Sequence, residues 1–290
     1  MSETPLKQRL GRYGVWSGSF RAEDAGGQAG LDESAAELEE LGFGTLWVGG
    51  NTSVAVAAPL IRATSRLTVG TSVQNIWLEG PTETAAAFAA LDATHPGRLL
   101  LGLGVGHAQM EKRYHRPYSA LVDYLDALDT DGFPAGRRLL AALGPRTLRL
   151  AGQRAAGAIP YLVTPEHTAY ARDILGPGPL LAPEVGVVLS ADPAEARALA
   201  RARLDMYLSL PNYTGNFLRH GFTEDDLTDG GSDRLVDALF AWGDESRVRA
   251  RLDAFHQAGA DHLALQVIDA DEQGTGLPRR AWRDLAALLG

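Results

Sequence analysis

The side chains able to do chemistry are few and unevenly placed. The chain carries 7 histidines and no cysteine. Acid–base work near neutral pH therefore falls to imidazoles, while disulfides, thiolate nucleophiles, Fe–S clusters and Cys-based zinc sites are excluded. The most apolar stretch, Leu99-Leu100-Leu101-Gly102-Leu103-Gly104-Val105-Gly106, ends on His107, and Glu111 follows one helical turn later. An imidazole of unperturbed pKa about 6.5 at the end of a buried strand is the best candidate for a proton donor or substrate contact. The alternative is a histidine that only bonds its own loop.

Other chemistries fail on residue type and spacing. No two histidines stand at i and i+4, and the short junctions between elements hold too few carboxylates for a metal shell. Ser17 and Ser72 lack the Gly-x-Ser-x-Gly elbow, and no acid stands where it would orient His107. What the junctions share is glycine and small hydroxyls, which let backbone approach a flat or phosphate-bearing ligand and favour cofactor-borne over side-chain chemistry. Gly102-x-Gly104-x-Gly106 lacks the third glycine of a dinucleotide loop, so glycines that let a buried strand bend explain it equally well. Leu143-Gly144-Pro145 is more informative. A Gly-Pro pair leaving a strand puts proline in the first helical turn and aims free N–H groups at whatever lies above, and Thr164-Pro165-Glu166 repeats the device with Thr164 as cap. Ordinary helix capping accounts for either alone; two side by side favour a phosphate cradle.

The elements that must position these residues alternate strand and helix along the whole chain. Strands are expected at residues 12–16, 45–48, 67–73, 99–107, 139–143, 159–163, 185–189 and 262–268. Helices are expected at 31–41 (capped by Asp32 or Ser34), 54–64, 82–94, 118–128, 145–154, 165–175, 192–208, 246–258 and 277–289. Residues 211–233 show no clear period and are expected to be an insertion packed on the barrel between strands 7 and 8. The pattern predicts an α/β fold, a (β/α)8 TIM barrel spanning residues 1–290 as one domain, ahead of two doubly wound domains split near Gly176-Pro177-Gly178-Pro179. In such a barrel the site lies at the strand ends. The junctions to read are Trp16-Ser17-Gly18, Val48 to Asn51, Thr71 to Asn75, Gly104 to His107, Leu143 to Pro145, Tyr161 to Thr164, Ser190 and Gln266.

Composition agrees with a globular enzyme: 290 residues, 45% hydrophobic, 22% charged, with a net charge of −9 that argues against nucleic acid or an anionic membrane as partner. No apolar run approaches a membrane span and the N-terminus has no apolar signal core, so a cytoplasmic location is expected.

Several segments resemble the bacterial luciferase-like flavin and deazaflavin oxidoreductases. They are Gly14-Val15-Trp16, Glu37 to Gly50 (with Glu-Leu-Gly-Phe-Gly-Thr-Leu-Trp-Val at its centre), Leu67 to Val73, His95 to His107 (with Pro-Gly-Arg-Leu-Leu-Leu-Gly-Leu-Gly) and Ala258 to His262. Within that group, Leu140 to Pro145, Tyr161 to Thr168 and Leu210-Pro211-Asn212-Tyr213 are similar to an actinobacterial subgroup expected to use the deazaflavin coenzyme F420. The resemblance implies a (β/α)8 barrel with an insertion near strand seven, a homodimer, and a flavin or deazaflavin over the strand ends. It implies a bulge after strand three with a non-prolyl cis peptide, here Ser72-Val73, behind the ring, and phosphate contacts at Leu143, Gly144 and Thr164. Gly106, Pro145 and Tyr161 complete the cofactor set. Trp16, Asn51, Asn75 and Trp77 are candidates for the pocket of a small-molecule substrate, and His107 for catalysis.

One departure stands out. Where well-known members carry a histidine after strand two, this chain has Gly49-Gly50-Asn51, and a glutamate that follows strand four in some members is replaced by His107. The activity implied is hydride transfer between F420 and a small organic substrate. An FMN-dependent monooxygenase using oxygen, and a non-catalytic flavin-binding or partner-binding barrel protein, are the alternatives.

Overall fold

Short runs rich in leucine and β-branched residues form the strands, and the alanine-rich segments between them form the helices. The computed structural model describes residues 5–20, 26–269 and 276–290. The first half contains α1 (Leu6–Leu10), β1 (Tyr13–Ser17), α2 (Gln28–Glu40), β2 (Thr45–Gly49), α3 (Val54–Arg62), β3 (Thr68–Ser72), β4 (Gln74–Asn75), α4 (Pro81–Asp92), β5 (Leu99–Gly104) and α5 (Pro117–Thr130). The second half contains β6 (Arg138–Leu140), α6 (Pro145–Arg154), β7 (Gly157–Ala158), α7 (Pro165–Leu175), β8 (Leu180–Leu181), β9 (Glu184–Val188), α8 (Pro193–Leu208), α9 (Pro211–Arg219), α10 (Asp233–Leu239), β10 (Phe240–Trp242), α11 (Glu245–Gln257), β11 (Leu263–Val267) and α12 (Arg279–Leu289).

All strands pair in parallel, in the order β10-β9-β11-β1-β2-β3-β5-β6-β7-β8, with β4 also on β5. Residues 180–188 act as one stave broken at Ala182-Pro183. Its first part pairs with β7, a bridge joins Tyr161 to Glu184, and its second part pairs with β11. The sheet thereby returns on itself as the expected (β/α)8 barrel. The alternative split near Gly176 is overturned by β1, which pairs with β11 through Tyr13↔Leu263, so strands from both halves share one sheet.

Local differences from the sequence reading have local causes. The fifth and sixth strands are laddered at 138–140 and 157–158, earlier than expected, and Pro160, with no N–H, keeps the sixth from continuing its ladder. Helix α2 starts at Gln28, so Asp32 and Ser34 lie inside it, and Ser34 Oγ donates to Gly30 O at 2.7 Å instead of capping. The aperiodic 211–233 region contains α9, whose Asn, Thr and Gly residues hide its helical signal; Pro211 starts it and burial of Tyr213, Asn216 and Phe217 holds it. The short α1 and β10 have no counterpart in the sequence pattern.

Three apolar clusters hold the molecule together. The largest lies between strands and outer helices, and a second joins α8, α9 and α10 to Phe240 and Trp242. The third fills the barrel: Trp47, Leu100, Leu139, Ile159, Leu180, Ala182 and Ala264, with Leu10 of α1 in the same cluster. Within the barrel, Trp47 Nε1 donates to His262 Nε2 at 2.9 Å while His262 Nδ1 donates to Gly11 O at 2.8 Å, which fixes a neutral imidazole. Burial pushes its pKa down to about 4. Glu39 fastens α2 to the entrance of β3. Its carboxylate accepts from the N–H groups of Ser65, Arg66 and Leu67 and the Ser65 hydroxyl, and these bonds outweigh burial and hold it at about 2.

Candidate active site

The strand period of two places a second layer of inward residues above the barrel-filling one, toward the C-terminal strand ends. Above Trp47 stands Gly49, above Leu100 Gly102, above Leu139 Ala141, above Ile159 Tyr161, above Ala182 Glu184 and above Ala264 Gln266. The layer is sharply divided. From β2 through β6 it consists of glycines, alanine and the small Ser72 that pairs with Gly49, with Trp16 and Val73 laid over them; from β7 through β11 it consists of a phenol, a carboxylate and an amide.

The bare half is shaped by close approach. A Cβ on Gly49 would lie 2.1 Å from Trp16 Cζ2, and one on Gly104 would lie 2.6 Å from Val73 Cγ2. The Ser72–Val73 peptide, where the resemblance expects a cis bond, is cis. Around it Thr71 replaces the interrupted ladder: its hydroxyl donates to Gly102 O at 2.9 Å and accepts from Gly102 N at 2.8 Å. Pairing resumes at Gln74↔Leu103. Gly102 and Gly104 therefore make room for the bulge and are not a dinucleotide loop. The Trp16 indole N–H is buried and has no hydrogen-bond partner among the described residues.

Asn75 and Trp77 brace the neighbouring loop. Asn75 Oδ1 accepts from Trp77 N at 3.0 Å, and Trp77 Nε1 donates to Val105 O at 2.7 Å. Gly106, at φ +63°, sits beside the Asn75 amide, and Asn51 is exposed at the rim with φ +59°. His107 leaves this loop toward α9. Its Nδ1 lies 3.1 Å from Asn212 Oδ1, which has no proton to give, so Nδ1 donates and Nε2 is left as an acceptor. Burial lowers the His107 pKa despite the bond to Asn212.

At the next two junctions the residues expected to hold an anion come together. Helix α6 begins at Pro145 with Gly144 as N-cap and no side-chain cap, and a Cβ on Gly144 would meet nothing within 4 Å. The Leu143 carbonyl accepts from His167 Nε2 at 3.0 Å, which ties α6 to α7. The Thr164 hydroxyl is occupied as the cap of α7, accepting from His167 N at 3.3 Å.

The polar half contains residues that the sequence reading missed. Arg203 and Tyr207 of α8 and Tyr213 of α9 cover Tyr161, Glu184 and Gln266, all near enough for Glu184 to raise the pKa of the three tyrosines further after burial has done so. The rings of Tyr161, Tyr207 and Tyr213 meet edge to face at 5.1, 6.2 and 5.0 Å, and Tyr213 reaches His107 at 5.6 Å. Gln266 stood among the strand-end junctions, and Glu184 could have been found as a charge at an inward position of a buried strand. The α8 and α9 residues carried no such signal.

The fold is a parallel α/β barrel with its candidate site at the C-terminal strand ends. Residues 14–130 match the family model described as luciferase-like monooxygenase. No curated protein matches the chain significantly in sequence. Among solved structures the chain is similar to an F420-dependent secondary alcohol dehydrogenase in complex with an F420–acetone adduct (13% identity, 96% of this chain and 97% of that one, TM-score 0.71). It is also similar to the coenzyme F420-dependent tetrahydromethanopterin reductase from Methanopyrus kandleri (15%, 94% and 96%, TM-score 0.71). A third is the FMN-bound oxygenating constituent of 3,6-diketocamphane monooxygenase from Pseudomonas putida (13%, 96% and 96%, TM-score 0.70). Among the described residues no helix is long and apolar enough to cross a membrane.

Proposed function

We propose that the chain is an oxidoreductase that moves a hydride between coenzyme F420 and a small organic substrate. The observation that carries the reading is the divided upper layer of the barrel, with a half of glycine, alanine and serine overlaid by Trp16 and Val73 beside a polar half. In this reading a planar tricyclic ring lies against the first and a substrate oxygen against the second. Ser72, Val73 and Gly106 would hold the ring, and Leu143, Gly144, Pro145 and Thr164 the phosphate tail. The open Gly144 position and the uncapped start of α6 fit an anion there. When bound, F420 supplies or accepts a hydride at its ring carbon.

The chain's own residues position and exchange protons. His107 presents a neutral imidazole whose Nε2 can take a proton from a substrate alcohol, with Asn212 fixing the ring. Trp16 walls the pocket with its indole ring, and Asn51 lies at its edge. Asn75 and Trp77 serve by holding the loop that carries Gly106 and His107. Incubating the protein with oxidised F420 and a panel of small alcohols tests the reading: loss of F420 absorbance with any alcohol supports it, and no change with F420 bound counts against it. An FMN monooxygenase is the second reading, supported by the FMN-bound relative of the same fold. It requires oxygen consumption with reduced FMN.

A further inference from the structure

The polar half of the mouth is built around Gln266, a fully buried amide between a cation and a phenol. In the orientation that satisfies both its ends, Gln266 Oε1 accepts from Arg203 Nη2 at 3.0 Å and Nε at 3.2 Å, and Nε2 donates to Tyr161 Oη at 3.2 Å. This order has a chemical direction. A guanidinium polarises the amide, and the amide N–H takes a lone pair of the phenol oxygen, so the phenol proton is directed away from Gln266, to the side on which Tyr207 lies in hydrogen-bond contact, as a strengthened donor. Tyr161 lies one inward step above Ile159 of the barrel filling and, like Arg203 and Tyr207, is partly exposed, whereas Gln266 and Glu184 are buried. Burial also keeps the Tyr161 hydroxyl protonated far above neutral pH.

We propose that the Tyr161 hydroxyl is the hydrogen-bond donor that holds the oxygen of a small carbonyl or alcohol substrate, with Gln266 and Arg203 as its positioning residues. The proposal rests on the oxidoreductase reading for its substrate class but not for its geometry. It moves Tyr161 from the cofactor side, where the resemblance puts it, to the substrate side. The two halves of the mouth then differ in role. The bare half takes a ring, the polar half takes an oxygen, and His107 stands at the border through Tyr213.

The test uses the intact, cofactor-free protein and 4-(dimethylamino)benzaldehyde, a carbonyl probe whose absorbance moves to longer wavelength when its oxygen accepts a strong hydrogen bond. Saturable binding with a red shift is expected. Tyr161→Phe, which keeps the ring contacts with Tyr207 and Tyr213, should abolish the red shift and weaken binding about tenfold, the scale of one lost hydrogen bond. Gln266→Leu should reduce the shift with Tyr161 in place, and Gln266→Glu, unable to donate from an ionised carboxylate, should do the same. A red shift unchanged in Tyr161→Phe overturns the proposal, as does absence of probe binding by a wild-type protein that binds F420. Loss of the shift in Gln266→Leu alone, with Tyr161→Phe normal, also overturns it. Probe binding through Tyr161 in a protein that binds no deazaflavin or flavin would leave the donor assignment standing while the oxidoreductase reading fails.

Discussion

Gly49 and Trp16 share one space: a Cβ on residue 49 would sit 2.1 Å from the indole Cζ2 and 2.7 Å from Cη2. This contact accounts for glycine at 49. At Gly50, where the resemblance expects a histidine, a Cβ would meet only Gly18 O at 3.9 Å, and the backbone φ of +81° is what favours glycine there.

Gly49→Ala should therefore displace the indole. The expected cost is about 1–3 kcal/mol, the scale of overpacking a tight core, read from denaturant unfolding. Near-ultraviolet circular dichroism should change at the same time, since Trp16 loses its fixed environment. A fully stable variant with an unchanged spectrum would contradict the packing described.

Gly104→Ala tests the other close contact in the bare half. The added methyl meets Val73 Cγ2 at 2.6 Å, so Val73 must turn or lift from the floor. F420 affinity is expected to fall about tenfold or more with only a modest change in melting temperature. Titration by fluorescence measures this, and equal affinity would mean that the Val73 surface does not face the ring.

His262 predicts how the fold responds to acid. Its pKa in the folded chain is pushed down to about 4 by burial, below the ordinary histidine value near 6.5. The unfolded chain therefore binds more protons between those two values, and stability falls as pH drops through that window, by up to about 3 kcal/mol from this residue. His167, also lowered to about 4, adds to the slope in the same direction. Urea midpoints measured from pH 7 to pH 4 should decline steeply, and His262→Gln should flatten the decline while lowering stability at pH 7. A flat wild-type profile would contradict the buried neutral imidazole.

Asn212→Asp should raise the pKa of His107. In the wild type, burial holds it below the ordinary histidine value; a carboxylate in contact with Nδ1 favours the imidazolium, by about one unit or more. Proton NMR titration of the histidine ring signals reads the change directly. No shift would show that α9 does not hold His107 as described.

The barrel was legible because its signal is repeated: apolar runs alternating with amphipathic segments give the same answer at each β-α unit. The helix start at Pro145 was legible because a Gly-Pro pair leaving a strand puts proline in the first helical turn, whereas the cis Ser72-Val73 peptide was expected only from the resemblance. The polar half was not. Arg203, Tyr207 and Tyr213 lie on α8 and α9, far in sequence from Tyr161 and Gln266, and nothing in their local spacing marks them as facing the barrel. Asn75 and Trp77 show the reverse case. Their residue types suit a pocket, but their hydrogen bonds to Trp77 N and Val105 O commit them to bracing a loop.

The central claim is that the bare half of the mouth holds a deazaflavin ring. The most direct measurement is a titration of the purified protein with F420 and, separately, with FMN, followed by ligand fluorescence. Saturable binding of F420, tighter than that of FMN and weakened by Gly104→Ala, is predicted. Tighter binding of FMN, or no binding of either, would contradict the account.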